Sequence, residues 1–273
     1  MPEVIRYEHV DISYNGVLTV QDISFTLQAG EILGIVGESG SGKSTLLKAA
    51  LGMLGRDGLV TRGDIYYRGL DLPDISDQER QKICGAEIGM IFQQAGNSFC
   101  PIRTVGAQIK EMLAAHGQDN AKQAKQETCE LFAKFGFAEP QRIWESYPFE
   151  LSGGMQQRAG VAAAMLLKPK ILLADEPTSA LDVTVQKQVI EEMLLARKLF
   201  GTAIILVTHN IGVIRAMADT MLVMYEGKMM EYGKASDVLA NPQSAYTQKL
   251  LAAVPKLRRS AAGYEQTFAS CAS

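Results

Sequence analysis

Eight residues, Gly37-Glu38-Ser39-Gly40-Ser41-Gly42-Lys43-Ser44, constrain what this chain can fold into more than any other stretch. Their Gly-x4-Gly-Lys-Ser spacing is that of a phosphate-binding loop, which needs a strand before it and a helix after it. Both are legible: residues 31–36 are an apolar, strand-like run, and residues 45–51 read as a helix. Glycines let the backbone curl so that successive N–H groups face one anion, and the helix N-terminus adds a partial positive charge. Gly37 through Thr45 are therefore expected to cradle a nucleotide. Within them Lys43 reaches the β- and γ-phosphates and the Ser44 hydroxyl ligates Mg²⁺.

A second anion-binding helix start lies in Leu151-Ser152-Gly153-Gly154-Met155-Gln156-Gln157-Arg158, which leads into a helix-like run at residues 155–167. Just after it, Pro169-Lys170-Ile171-Leu172-Leu173-Ala174-Asp175-Glu176 is a short apolar strand ending in two carboxylates. A carboxylate at the end of a buried strand is expensive unless it serves a cation or water bound to one. Asp175 is accordingly expected in a magnesium shell, and Glu176 beside the attacking water. In this order the motifs resemble the ATP-binding subunit of an ATP-binding-cassette (ABC) transporter, with residues 151–158 similar to that family's signature.

Composition agrees with one catalytic subunit. The chain has 273 residues, 27 basic and 30 acidic, for a formal net charge of −3, which gives no reason to expect a nucleic-acid partner. Cys84, Cys100, Cys129 and Cys271 are scattered and spell neither a zinc site nor a disulfide framework, so a reducing cytosol is expected. No apolar run approaches the roughly 18 residues that cross a bilayer, and the first residues carry no signal-peptide pattern. If the protein powers transport, another polypeptide must supply the membrane path.

The organisation follows from the alternation of patterns. Short strands at residues 4–10 and 20–27 flank a turn at Asn15-Gly16. Further strands are expected at 64–67, 88–92, 171–175, 203–207 and 221–224, and helix formers dominate residues 122–134. Strands alternating with helices imply an α/β fold with a mostly parallel sheet. The resemblance implies a RecA-like phosphate-loop NTPase lobe, an N-terminal antiparallel β subdomain, and an α-helical subdomain inserted at about residues 94–168. Residues 1–255 form the ATP-binding domain, and 256–273, with the basic cluster Lys256-Leu257-Arg258-Arg259, form a mobile tail.

Ligands gather at the carboxyl ends of parallel strands, which gives His209, after the run 203–207, and Gln93, after 88–92, a place beside the phosphate loop. The resemblance makes His209 the switch histidine at the γ-phosphate, and Gln93, rather than its neighbour Gln94, the glutamine that touches Mg²⁺ or water. It makes Tyr14 the adenine-stacking aromatic, and Asp182 of Ser179-Ala180-Leu181-Asp182 the acidic residue of the D-loop. It further implies ATP and Mg²⁺ as cofactors and a composite site, in which Ser152, Gly153 and Gly154 of one subunit cap ATP held by Lys43 of another.

Residues 147–155 and 241–255 resemble the dipeptide, oligopeptide and nickel import ATPases. Met155 is similar to the first of the two dissimilar ATPases these importers use. The resemblance thus implies a paralogous ATPase partner, two integral membrane permease subunits, an extracytoplasmic substrate-binding protein, and a peripheral position on the cytoplasmic face of the cell membrane. Longer peptide-importing members carry a cysteine cluster near their C-terminus where this chain has only Cys271, so no iron–sulfur cluster is expected, and the short tail leans toward nickel or metallophore cargo. The rival function is a soluble cassette ATPase acting on ribosomes or DNA; such proteins usually carry two cassettes or a long coiled-coil insertion, and neither is found here.

Overall fold

A computed structural model describes residues 2–93 and 95–253. Gln94, the tail from 256, its basic cluster and Cys271 lie outside the described residues. The chain begins with strands β1 (Glu3–Tyr14) and β2 (Val17–Gln28), then β3 (Ile32–Gly37) and helix α1 (Lys43–Ala50). Strands β4 (Gly58–Tyr67) and β5 (Leu70–Asp71), helix α2 (Asp77–Ile83) and strand β6 (Ile88–Ile91) follow. Only helices come next: a 3-10 turn at Ala95–Ser98, α3 (Val105–Ala115), α4 (Ala121–Lys134), α5 (Pro140–Glu145), a 3-10 turn at Pro148–Glu150, and α6 (Gly153–Met165). The chain then returns through β7 (Ile171–Asp175), α7 (Val183–Phe200), β8 (Ala203–Val207), α8 (Ile211–Met217), β9 (Thr220–Tyr225), β10 (Lys228–Lys234), α9 (Ala235–Ala240) and α10 (Ala245–Ala252).

The strands form one curled sheet in the order β5-β4-β1-β2-β10-β9-β3-β8-β7-β6. Its first part is antiparallel: β1 pairs with both β2 and β4. The β1–β2 hairpin turns at Asn15 (φ 50°) and Gly16 (φ 78°), the two positive φ values that a tight primed turn requires. Both strands run well past the spans 4–10 and 20–27 expected from the sequence, because register shifts along β1 let pairing continue through its polar residues. From β9 to β6 the pairing is parallel throughout.

The parallel strands are buried on both faces, which is why they read as continuous apolar runs. Alternate residues serve two cores. Ile32, Val36, Leu172, Ala174, Ile204 and Leu206 face the core shared with α3–α8. Leu33, Ile35, Leu173, Ile205 and Val207 face a second core that includes Leu46 and Leu47 of α1 and Ile5, Ile12 and Ile23 of the antiparallel part. Helix α1 thus lies in the fold of the curled sheet, its start held at the carboxyl edge of β3.

The helical segment is joined to the sheet through α6 and α7. Arg158 of α6 pairs with Glu192 of α7, and both are buried. The guanidinium also lies 4.3 Å from the ring centroid of Phe137. Burial pushes the Glu192 carboxyl up to about 7, with the hydrogen bond and charge of Arg158 acting against that rise. Near its start α6 packs so closely on α7 that a Cβ at Gly154 would lie 2.9 Å from the Val185 methyls.

Candidate nucleotide site

Four neighbouring parallel strands, β3, β8, β7 and β6, end at the same edge of the sheet, and each hands one functional segment to it. The phosphate loop follows β3, His209 follows β8, Glu176 follows β7 and Gln93 follows β6. The result is a cavity of ≈ 730 Å³ lined by Gly37, Glu38, Ser39, Gly40, Gly42, Lys43, Ser44, Thr45, Gln93, Glu176 and His209, with Thr19, Val36, Ile211 and Leu250. This is the place where an open α/β sheet receives ligands.

The loop is shaped for an anion. Gly37 has φ 155°, and a Cβ there would fall 2.1 Å from the Met224 carbonyl oxygen of β9. Gly42, at φ 92°, stands at the N-cap of α1, which no side chain caps, and a Cβ on it would meet Val20 Cγ2 at 2.7 Å. Only glycine fits either position, and the first-turn amides of α1 are left to a ligand. Lys43 is buried, and its Nζ donates to the carbonyls of Gly37 (2.9 Å) and Glu38 (2.6 Å) and to Ser41 Oγ (3.3 Å). Burial lowers its pKa, while the carboxylates of Glu176, Asp175 and Glu38 pull the other way. An ammonium served by neutral carbonyls, with carboxylates nearby, is one that a phosphate would draw out. Lys43→Ala is therefore expected to weaken ATP binding by about 10–100-fold, the worth of a charge-assisted hydrogen bond in a sheltered site. Titration with a fluorescent ATP analogue checks it.

Ser44 Oγ donates to Asp175 Oδ1 at 2.7 Å. Burial raises the Asp175 pKa, the Ser44 hydrogen bond lowers it, and the charge of Glu176 raises it further. Hydroxyl, carboxylate and the nearby Gln93 amide are all hard oxygen donors, the set that suits Mg²⁺. The residues present therefore fit that ion.

Glu176 departs from strand geometry. Its N–H still bonds Val207 O (2.9 Å), but its φ is 47°, in the left-handed region. Such a conformation costs a non-glycine residue about 1–3 kcal/mol and persists where the surroundings enforce it. Here it breaks the alternation of β7, so that the carboxylates of Asp175 and Glu176 both reach the carboxyl edge. Two groups converge on the Glu176 carboxylate: Gln93 Nε2 donates to Oε2 at 3.4 Å, and His209 Nδ1 lies 3.2 Å from Oε1.

Other residues expected at the site stand elsewhere. Tyr14 does not line the cavity. It pairs with Gly58 of β4, and the missing side chain there leaves a slot for its ring, whose Cε1 would be 2.7 Å from an added Cβ. Thr19 of β2 lines the cavity instead. Ser152 caps α6 by accepting from Met155 N–H (3.3 Å), and Asp182 caps α7 by accepting from Thr184 and Val185 N–H (3.0 Å each). Ser152, Gly153 and Asp182 are exposed, and neither they nor Gly154 line the cavity of their own chain.

Gln157, buried in the signature segment, was not singled out by sequence. Its Nε2 donates to Pro177 O (2.7 Å), and its Oε1 accepts from Gly96 N–H (3.4 Å). It thereby ties the turn after Glu176 to the turn after Gln93. A polar residue midway in an Ala- and Met-rich helix was the available signal. Ile211 and Leu250 carried none, since their place in the cavity comes from tertiary packing.

Comparison with known proteins places the chain in one lineage. Residues 20–179 match the ABC transporter family. The oligopeptide transport ATP-binding protein AmiE of Streptococcus pneumoniae is 40% identical over 248 residues, covering 90% of this chain and 70% of that protein. The dipeptide transport ATP-binding protein DppD of Escherichia coli is 41% identical over 237 residues, covering 87% and 72%. A solved dimer of the ATP-binding cassette MJ0796, in a post-hydrolysis state bound to ADP and Pi, aligns with TM-score 0.72 at 27% identity, covering 85% of this chain and 98% of that one.

Proposed function

The chain belongs to the ABC transporter family as an ATP-hydrolysing cassette, and from that premise we infer that it drives peptide import through separate membrane subunits. The observation that carries the reading is the convergence of Lys43, Gln93, Glu176 and His209 on one cavity, with the Ser152 helix start exposed elsewhere on the same chain. Peptide cargo is supported by AmiE and DppD, whose names are those of peptide transport proteins. Nickel or other metal chelates are the second cargo class. Among the described residues no helix is long and apolar enough to cross a membrane. The transport reading calls for a peripheral subunit working with two permease subunits and a substrate-binding protein.

The chemistry is water attack on the γ-phosphate of ATP. Gly37–Thr45 hold the phosphates through backbone N–H groups, Lys43 and the start of α1. Ser44, Asp175 and Gln93 would hold Mg²⁺, which when bound neutralises charge on the β- and γ-phosphate oxygens. Glu176 orients the attacking water and takes its proton on a carboxylate oxygen. Gln93 and His209 fix that carboxylate from either side, and both are also in reach of the lost phosphate. The matching helix start of a second, paralogous cassette would complete this chain's site, while this chain's Ser152 and the helix start behind Gly154 would cap the paralogue's ATP in turn.

Vesicles bearing the permease subunits test the assignment. ATP-dependent uptake of a labelled dipeptide is expected only when this chain, its paralogue and the binding protein are present. Uptake of a labelled nickel chelate instead would move the cargo to the second class. ATP turnover stimulated by ribosomes or DNA, without association with a membrane protein, would overturn the import reading.

A further inference from the structure

Glu176 and Ala180 bracket the turn that leads from β7 toward α7, and both have left-handed backbones, with φ 47° and 59°. Neither is glycine, so each conformation has to be enforced by its surroundings. The turn supplies one contact of its own, Ser179 N–H donating to Glu176 O at 3.1 Å. Pro177, whose ring fixes φ, stands at its first central position. Pro177 and Thr178 are buried, yet among the described residues no backbone N–H donates to the carbonyl of either. A buried carbonyl without a donor is costly, so these two need partners from outside the turn.

Two glutamine side chains provide them. Gln157 of α6 gives its Nε2 to Pro177 O at 2.7 Å. Gln186 of α7 gives its Nε2 to Thr178 O and to Leu181 O, at 3.2 Å each. Both amides are themselves anchored. Gln157 Oε1 accepts from Gly96 N–H at 3.4 Å, and the Gln186 backbone N–H donates to Asp182 O at 2.9 Å. A neutral amide long enough to reach a carbonyl can donate here without bringing a charge into a buried turn. The segment behind Glu176 is thus gripped from two helices at three carbonyls.

We propose that Gln157 and Gln186 are positioning residues for the hydrolysis step: together they lock the turn behind Glu176 and so hold its carboxylate where the attacking water is activated. The proposal rests on the reading of Glu176 as the base. Neither glutamine lines the nucleotide cavity, so both act through Glu176, and the hold of Lys43 and the phosphate loop on ATP is independent of them.

The full chain with its paralogous partner is the material for the test, read by steady-state ATP hydrolysis, titration with trinitrophenyl-ATP and thermal melting. Gln157→Leu and Gln186→Leu keep bulk and remove the donor. Each is expected to lower kcat by about 10–100-fold, up to the cost of misplacing a catalytic group by about 1 Å, with trinitrophenyl-ATP affinity within about twofold. Gln186 is only half-buried, so Gln186→Leu tests the grip even if Gln157→Leu fails to fold. Gln186→Glu, which keeps the shape but lacks the donor, should fare no better than the leucine. Adding Gln186→Leu to Glu176→Gln should cost little beyond Glu176→Gln alone, because the grip acts only through that carboxylate. Wild-type kcat in Gln186→Leu would overturn the proposal, as would full additivity with Glu176→Gln. A fall in kcat matched by equal losses of nucleotide affinity and melting temperature would reduce both glutamines to structural support and overturn it too. Wild-type turnover by Glu176→Gln would instead bring down the reading of Glu176 as the base, and this proposal with it.

Discussion

Glu176→Gln is expected to lower ATP turnover by about 100-fold or more while leaving ATP bound, because the amide keeps the size of the carboxylate but cannot take a proton. The structure sharpens this expectation. The Glu176 backbone is already in a left-handed conformation, bonded to Val207 O, and the substitution changes neither. Gln93 Nε2 donates to one carboxylate oxygen and His209 Nδ1 lies near the other, so a glutamine amide can accept from Gln93 with its oxygen and turn its NH2 toward His209 Nδ1, which accepts it in the Nε2-protonated tautomer. Lys43, Ser44 and Asp175 are untouched, so affinity for ATP should stay near that of the wild type. The measurements are single-turnover hydrolysis and nucleotide titration on the same preparation, with assembly with the partner followed by sedimentation. The variant should remain assembled longer in ATP. Turnover at the wild-type rate would remove Glu176 from the role of base.

Gly153→Asp is expected to abolish hydrolysis without unfolding the chain or weakening ATP binding by the isolated subunit. A Cβ at Gly153 would meet nothing within 4 Å, whereas one at Gly154 would collide with Val185. The substitution therefore acts through charge rather than packing, and Gly153 is the better probe of the two. Facing a partner's γ-phosphate, the new carboxylate would repel it by about 4 kcal/mol at 4 Å and an effective dielectric of 20. That is roughly three decades in the closing equilibrium. Turnover per subunit of the wild type should correspondingly rise with concentration, or on adding the paralogue. Constant activity per subunit across a dilution series, with only monomer in sedimentation, would defeat the composite site.

Much of this was legible because the phosphate loop and the strand-end residues are local signals read through a simple rule of topology. Once residues 31–36, 88–92, 171–175 and 203–207 are strands of one parallel sheet, the segments following them must meet at its carboxyl edge. The helix start at Ser152 was equally local, since it needs only its own short side chain over the first turn; that Asp182 caps α7 was not part of its reading as a D-loop residue. What escaped was set by partners distant in sequence. β10 (Lys228–Lys234) is a largely exposed strand, Lys-Met-Met-Glu-Tyr-Gly-Lys, whose residues show no clean alternation to read and which is placed by its pairing with β9. Tyr14 lies against Gly58 because of the β1–β4 register, which no local feature announces. Leu250 and Gln157 reach the site by way of helix packing, where any apolar or polar residue in the sequence looks alike.

The contacts between α6 and α7 have a consequence for timing. Ser152 at the head of one helix and Asp182 at the head of the other are joined through the close approach of Gly154 to Val185 and the buried Arg158–Glu192 pair. In a composite site the two heads would therefore travel as a single jaw, neither advancing on a partner while the other lags. Gln157, in the same helix, grips the turn behind Glu176, so the jaw that one subunit offers outward shares its hinge pin with the chemistry that subunit keeps for itself. In a pair of such subunits the two ATP chambers would open and shut to one beat, whichever of them hydrolyses first.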